Sequence, residues 1–228
     1  MKNIYRKLLE GLDDCCFEVV NSHTCDVDIV DQVDTTVYYS DRYGSGATKL
    51  VLFPRAELNL DIVVKIPFTH SEEMEEFQNE NGDWVFGDYY PLDGATYGKG
   101  WNYIEAEMCI YEKAKEYGVE KAFLENIYIG KIDQHPIYVQ QKVEVIDSYH
   151  PSEKHSQRSE ELCKKISKDI YNPFDFDWAC DYIDYFGEIA FEKLLHFCEE
   201  EYLSDFHMGN LGYLNEIPII LDYGGYEG

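Results

Sequence analysis

The sequence predicts an α+β fold, with strands gathered in the first half of the chain and helices in the second. Short apolar runs bounded by turn residues, such as 49–53 and 61–67, are typical of hairpins in an antiparallel sheet. Apolar residues with helical spacing dominate 102–117 and 159–202. Apolar residues make up 45% of the chain and aromatic residues 15%, which is typical of a globular protein. A sheet-rich front followed by a helical back indicates the α+β class.

The front of the chain begins with a short helix, because Ile4, Leu8 and Leu12 have helical spacing. Residues 15–40 are rich in β-branched residues and predict extended segments, and 41–46 predict a turn. Strands are expected at 49–53 and 61–67, with a turn between them. Residues 69–100 are rich in Glu, Asp, Gly and Tyr without clean periodicity, which predicts a long loop or an irregular acidic insertion.

The second half opens with a helix predicted over 102–117, since Gly118 lies just past its last apolar residue. Two strands are predicted at 127–130 and 137–143. An amphipathic helix is expected over 159–169 and one long helix over 178–202. A hairpin around residues 215–216 completes the chain.

The charge balance is strongly acidic, with 19 Lys and Arg against 45 Asp and Glu and a formal charge of −26. Such a surface repels nucleic-acid phosphates and anionic membranes, so neither is an expected partner. Two alternatives remain open: a solvated acidic shell, or an acidic face that attracts a basic partner. Seven cysteines without a C-x-x-C pair indicate reduced thiols. Since no stretch has the length of a membrane span, a soluble cytoplasmic protein is expected.

Chemistry-bearing residues concentrate near the end of the sequence. Asp205, His207 and Asn210 occupy a short polar segment after a long apolar helix. Asp222 follows the apolar run 217–221 and precedes two glycines. Magnesium takes oxygen ligands and binds through one or two carboxylates together with substrate phosphates. The pattern therefore predicts a magnesium and phosphate site in this segment.

Asp-x-His-x-x-Asn at 205–210, followed by an apolar strand and Asp-Tyr-Gly at 222–224, resembles the protein-kinase-like superfamily. The two motifs resemble its catalytic loop and metal-binding turn, in the version with His that is typical of aminoglycoside and choline kinases. The resemblance implies that Asp205 accepts the proton of the attacking hydroxyl and that His207 lies near the transferred phosphate. It also implies that Asn210 and Asp222 hold magnesium. A polar turn with an Asx cap explains each residue singly, but not the four together.

Two weaker motifs lie upstream in the expected order. Residues 44–51 resemble a glycine-rich phosphate loop in which the backbone at Gly44 and Gly46 would approach ATP phosphates, although a tight hairpin turn explains them equally well. Lys65 resembles the strand lysine that pairs the α- and β-phosphates of the nucleotide. A lysine inside an apolar strand needs a partner.

The expected partner of that lysine is a glutamate on the helix over 102–117. Glu107 has apolar residues at +3, +4 and +7, which is the spacing of a glutamate on the packed face of a helix. Glu105 is the second candidate, and a solvated helix face is the alternative for either residue. By the resemblance, Lys65 and Glu107 would both belong to the nucleotide site.

The resemblance runs thinly from Gly44 to Gly225 and implies a single bilobal kinase-like domain over residues 1–228. Its β-rich N-lobe would cover 1–142, including the acidic insertion at 69–100, and a shortened, mainly helical C-lobe would cover 143–228. Because the printed sequence continues for only three residues after Gly225, we expect no activation segment and a reduced acceptor site. Ser204 also stands where many protein kinases have an arginine that receives activation-loop phosphate.

These expectations favour a minimal phosphotransferase that uses ATP and magnesium on an unknown acceptor. The alternative is a catalytically weak or inactive kinase-fold module, a pseudokinase, whose acidic surface binds a basic partner protein. A third interpretation, an acidic mimic of nucleic acid, depends on charge alone. Loss of function on changing Asp222 favours the first, and loss on reversing the charges at 72–76 favours the second.

Overall fold

The computed structural model of the chain describes residues 2–12, 38–45, 49–67, 72–79, 81–91, 102–132, 135–146 and 155–224. These residues combine helices with antiparallel sheets, so the predicted α+β class is confirmed. The chain divides into two compact units. Unit one comprises 1–105, 126–140 and 226–228, and unit two comprises 106–125 and 141–225.

The helices and strands follow one another as the sequence patterns predict in most places. The helices are α1 (Lys2–Glu10), α2 (Tyr103–Tyr117), α3 (Gln157–Ile166), α4 (Phe176–Phe186) and α5 (Glu188–Glu200). The strands are β1 (Tyr39–Ser45), β2 (Lys49–Pro54), β3 (Ile62–Pro67), β4 (Glu72–Gln78), β5 (Trp84–Pro91), β6 (Asn126–Ile132), β7 (His135–Gln141), β8 (Glu144–Val145), β9 (Leu211–Leu214) and β10 (Ile217–Ile220). None of the described helices combines the length and the apolar content needed to cross a bilayer.

Polar side chains explain where three of the helices begin. Asn102 accepts a hydrogen bond from the backbone N–H of Glu105 at 3.0 Å before α2. Ser156 caps α3 by accepting from the N–H of Ser159. Asp175 caps α4 by accepting from two backbone N–H groups of the first turn, each at 3.0 Å. Such caps satisfy backbone donors that have no partner inside the helix.

Unit one is built on a five-stranded sheet in the order β1-β2-β3-β7-β6. Helix α1 packs on this sheet near β6, and Leu8 and Leu12 of the helix segment are fully buried with Val64 and Ile137 of the strands. The hydroxyl of Tyr39 donates to the Leu8 carbonyl at 2.7 Å, which ties β1 to the helix. Burial of this apolar set explains why 49–53 and 61–67 were recognisable as strands.

The turn predicted at 41–46 is wrong over most of its length. Strand β1 continues to Ser45, and its backbone pairs with β2 through Gly44 opposite Val51 and Ser45 opposite Leu50. Cross-strand pairing overrides the turn preference of these polar residues, because each pair satisfies backbone donors and acceptors. Residue 46 and the extended segments predicted over 15–37 lie outside the described residues.

The long loop predicted at 69–100 is wrong at 72–78 and 84–91, because β4 and β5 form an antiparallel hairpin there. Residues 69–71, 80 and 92–100 lie outside the described residues. The Asn79 side chain closes the turn by accepting from the backbone N–H groups of Asn81 and Asp83 at 2.9 and 3.0 Å. Gly82 takes a φ of 82°, a conformation that glycine adopts without steric cost. Local turn bonds and backbone pairing specify this hairpin without the apolar alternation that strand prediction requires.

Unit two packs α3, α4 and α5 with a small sheet in the order β10-β9-β8. Its core is aromatic: Trp178 and Phe191 are fully buried, and the Phe174 and Phe206 rings lie 4.5 Å apart between centroids. A parallel bridge from Phe123 to Ile220 joins the segment after α2 to β10. The C-terminal segment that carries the polar motif contributes apolar residues, Phe206 among them, to this core.

The single helix predicted over 178–202 is two helices, which are broken at Gly187. Its N–H donates to the Ile183 carbonyl at 2.8 Å to end α4, and its carbonyl accepts from Phe191 at 3.1 Å to begin α5. The backbone there has φ 92° and ψ 163°, a region that only glycine occupies readily. The apolar spacing continues through the break, so periodicity alone concealed it.

Replacing Gly187 with alanine is expected to lower the free energy of unfolding by about 1–3 kcal/mol. No atom lies within 4 Å of the position a Cβ would take, so the cost arises from the backbone conformation and not from a clash. Chemical denaturation followed by circular dichroism measures it. Ile189→Ala, at an 81% exposed neighbour, is the control and should change stability by less than about 0.5 kcal/mol. Equal stabilities for the two variants would contradict the explanation.

Candidate functional site

The β9–β10 hairpin positions the C-terminal polar residues. Asn215 and Glu216 connect its strands with φ values of 52° and 69°, the positive pair of a two-residue hairpin turn. At the opposite end the N–H of Leu221 donates to the Asn210 carbonyl at 2.9 Å, which extends the strand pairing by one step. Because Asp222 follows Leu221 directly, the hairpin brings Asn210 and Asp222 to the same end.

The loop before β9 is fixed by the side chain of Asn210. Its Nδ2 donates to the backbone carbonyl of Asp205 at 2.8 Å, and the residue is buried. With Nδ2 used in this way, Oδ1 is the amide atom that can serve as a cation ligand. Phe206 packs into the aromatic core, so the polar residues on either side of it are held at the surface of unit two. Asp205 is half-buried and His207 is exposed.

The two sequence-predicted catalytic side chains lie close together. The His207 Nε2 and Asp205 Oδ1 atoms are 3.9 Å apart, which is too long for a direct hydrogen bond. The other ring nitrogen, Nδ1, accepts from the backbone N–H of Gly209 at 3.0 Å. His207 also caps the short 3₁₀ helix Met208–Asn210. A carboxylate and an imidazole therefore lie near each other in this loop.

Two side chains of α4 hold the hairpin against the helical core. The indole N–H of Trp178 donates to the Gly212 carbonyl at 3.3 Å, and the hydroxyl of Tyr213 donates to the Asp181 carboxylate at 2.6 Å. Burial raises the pKa of Tyr213, and the Asp181 carboxylate raises it further, so the hydroxyl stays a donor. None of these four residues was predicted from the sequence, because aromatic residues at helical spacing indicate a hydrophobic core and the neighbouring sequence does not reveal their polar partners.

Tyr223 anchors the turn that carries Asp222. Its hydroxyl donates to the Leu124 carbonyl at 2.8 Å, and its ring lies 4.9 Å from that of Phe123. Burial raises the pKa of Tyr223 well above its ordinary value, and the nearby Glu107 carboxylate adds to the effect. Tyr223 is next to Asp222 in the chain, so this anchor restricts the backbone position of the carboxylate.

The predicted helix glutamate belongs to unit two. Glu107 of α2 is fully buried, and a buried carboxylate requires compensation by a polar or charged neighbour. Glu107 has such a partner in the structure. Glu105, the second candidate, is half-buried and accepts from the Tyr138 hydroxyl at 3.3 Å. Glu107 is therefore the more deeply buried of the two candidates, as the apolar residues at +3, +4 and +7 predicted.

The upstream candidates belong to unit one. Lys65 of β3 is buried, and its backbone lies opposite Val51 of β2. Gly44 of β1 lies opposite the same Val51, so Gly44 and Lys65 share one row across three strands. Gly46 lies outside the described residues. The structure therefore places Gly44 and Lys65 on the same row of the sheet of unit one, with β2 between them.

The cation-binding capacity of the site comes from a small set of oxygens. Within the part of the chain that the structure describes, no three His, Cys, Asp or Glu side chains converge as a metal-binding cluster. Asn210 and Asp222 offer an amide oxygen and one carboxylate. That set fits a hard cation such as Mg²⁺, which completes its shell with water and substrate phosphates. It does not fit zinc, which prefers nitrogen and sulfur ligands.

The structure thus groups Asp205, His207, Asn210 and Asp222 in unit two, with Glu107 buried in the same unit. The chain matches no protein-family model, no curated protein and no solved structure.

Proposed function

We propose that this protein is a minimal kinase-like phosphotransferase that binds ATP with Mg²⁺. The observation that carries the proposal is the hydrogen bond from the Leu221 N–H to the Asn210 carbonyl. It extends the hairpin by one step, which brings the backbones of Asn210 and Asp222 to the same end of the hairpin. A polar surface turn does not require the backbones of residues 210 and 221 to be hydrogen-bonded in this way.

Asn210 and Asp222 are the proposed magnesium ligands. Mg²⁺ held by these two residues would neutralise the charge that develops as the terminal phosphoryl group of ATP leaves. The Asn210 amide is oriented by its bond to the Asp205 carbonyl, so its oxygen needs little reorganisation to bind a cation. The anchored side chain of Tyr223 likewise restricts the backbone position of Asp222.

Asp205 is the proposed base. In the transfer step, an acceptor hydroxyl oxygen forms a bond to the γ-phosphorus of ATP while the bond to the bridging oxygen breaks. ADP leaves with that electron pair, and the hydroxyl proton passes to the Asp205 carboxylate. The half-exposed position of Asp205 supports this role, because an acceptor can reach the carboxylate from solvent.

The same proposal assigns each unit to one lobe of a kinase-like domain. Unit one would correspond to the strand-rich lobe and unit two to a reduced helical lobe of a bilobal kinase-like domain. Lys65 lies on the third described strand, which is the structural context expected for the kinase lysine. In the proposed function Lys65 binds ATP phosphates with the Gly44 hairpin.

A thermal-shift experiment tests nucleotide binding. At saturating ATP and Mg²⁺, about 100 times the dissociation constant, ligand binding should stabilise the folded protein by about 2.7 kcal/mol. For a chain of this length we expect a rise in Tm of about 5–10 °C relative to the protein alone. ATP without Mg²⁺ should give a much smaller rise. Asp222→Ala should remove the magnesium-dependent part.

The matched control is Asp169→Ala, which removes an exposed carboxylate of unit two outside the site. It should retain the full magnesium-dependent shift. Each variant is compared with its own nucleotide-free protein, so a change in intrinsic stability does not enter the result. A wild-type protein whose Tm is unaffected by ATP and Mg²⁺ would refute the phosphotransferase proposal and favour the acidic binding module.

A further inference from the structure

The imidazole of His207 folds back over the backbone of residue 209. Its Nδ1 accepts a hydrogen bond from the Gly209 N–H at 3.0 Å. A Cβ placed on residue 209 would lie 2.8 Å from Cε1 and 3.0 Å from Nδ1 of the same ring. These separations are shorter than ordinary carbon contacts, which lie near 3.5–4.0 Å. Glycine is therefore the residue that lets the ring occupy this place.

This contact determines which nitrogen carries the proton. A neutral imidazole has one N–H donor and one acceptor nitrogen, and here Nδ1 is the acceptor. The proton then resides on Nε2, the atom 3.9 Å from Asp205 Oδ1. We propose that Gly209 is a positioning residue that holds His207 in the Nε2–H tautomer, so that the site presents a neutral donor beside the Asp205 carboxylate.

The tautomer divides the chemical roles of the two side chains. Nε2–H has no lone pair to accept a proton, so His207 serves as a donor to an oxygen of the bound phosphoryl group and Asp205 remains the acceptor. His207 is 63% exposed, which leaves the donor accessible to a ligand. The donor role rests on the proposed function, whereas the tautomer rests only on the Gly209 contact.

Gly209→Ala tests the tautomer directly. The added methyl group displaces the imidazole, which can rotate away because it is an exposed side chain. In ¹⁵N NMR of labelled protein under mildly alkaline conditions, wild-type His207 should show protonated Nε2 and unprotonated Nδ1. Gly209→Ala should show a mixture of both tautomers. His207→Gln assigns the resonances among the seven histidines.

Met208→Ala is the matched control, because it changes an exposed neighbour in the same turn without adding an atom near the ring. Its tautomer should equal that of the wild type. A mixed or Nδ1–H tautomer in wild type, or an unchanged tautomer in Gly209→Ala, would overturn the positioning role.

The kinetic readout uses ATP hydrolysis with water as the acceptor. Gly209→Ala should lower kcat on the order of 10–100-fold with the KM for ATP unchanged, since misplacing a group that acts on the transferred phosphoryl affects the reacting geometry more than nucleotide binding. An unchanged kcat would refute the donor role. If the wild type neither binds nor hydrolyses ATP, the proposed function and the donor role both fail, and the NMR result alone decides the tautomer.

Discussion

Trp178→Ala is expected to lower the free energy of unfolding of unit two by about 3–5 kcal/mol. The indole is fully buried, and its centroid lies 4.8 Å from the Phe174 ring and 5.4 Å from the Tyr182 ring. Removing it leaves a cavity lined by aromatic side chains and takes away the donor to the Gly212 carbonyl of β9. The variant therefore loses both core packing and one of the two bonds that hold the hairpin to α4.

Urea denaturation followed by far-ultraviolet circular dichroism measures this loss without depending on tryptophan fluorescence. Trp178→Phe is the control, because it keeps an aromatic ring but lacks the N–H. It should cost substantially less than the alanine variant, on the order of 1–2 kcal/mol. A cost below about 1 kcal/mol for Trp178→Ala would show that the described core does not stabilise unit two.

Asp205→Asn is expected to lower kcat for phosphoryl transfer about 10²–10⁴-fold, because an amide has nearly the same shape but accepts no proton. The hydrogen bond from Asn210 goes to the backbone carbonyl of residue 205 and not to its carboxylate. The substitution therefore preserves the loop and should leave the KM for ATP nearly unchanged.

Release of ADP from ATP and Mg²⁺ measures the effect, with water as the acceptor. Asp169→Asn is the matched control, since it makes the same chemical change at an exposed position outside the site. It should have the wild-type kcat. Full activity in Asp205→Asn would exclude this carboxylate as the base. Nucleotide binding without turnover in the wild type and in both variants would favour the pseudokinase alternative.

The sequence predicted elements where local pattern and burial agree. Apolar runs at 49–53 and 61–67 became the interior strands β2 and β3, and Asn102 and Gly118 delimit α2 as their chemistry indicates. It failed where backbone pairing or conformation decided the structure. The β4–β5 hairpin depends on the Asn79 turn, and the break between α4 and α5 depends on the dihedral angles of Gly187. The hairpin has no apolar alternation, and the apolar spacing of the helices continues through the break, so periodicity revealed neither feature.

The candidate site divides in the same way. Asp205, His207, Asn210 and Asp222 were candidates because they are polar residues beside apolar runs and their spacing resembles kinase-like motifs. Their supporting residues were not, since Tyr213 and Tyr223 are indistinguishable from core aromatics until their hydroxyl partners, Asp181 and the Leu124 carbonyl, are known.

By itself the sequence determined the class of fold, the polar residues at its C-terminal end and the acidity of the chain, because side-chain chemistry and its spacing are written in residue order. The tertiary structure alone decided the register in which Leu221 pairs with Asn210 and the contact of the His207 ring with Gly209. The register depends on how β9 and β10 pair, and the ring contact depends on the backbone conformation of residues 207–209 and on the absence of a Cβ at Gly209.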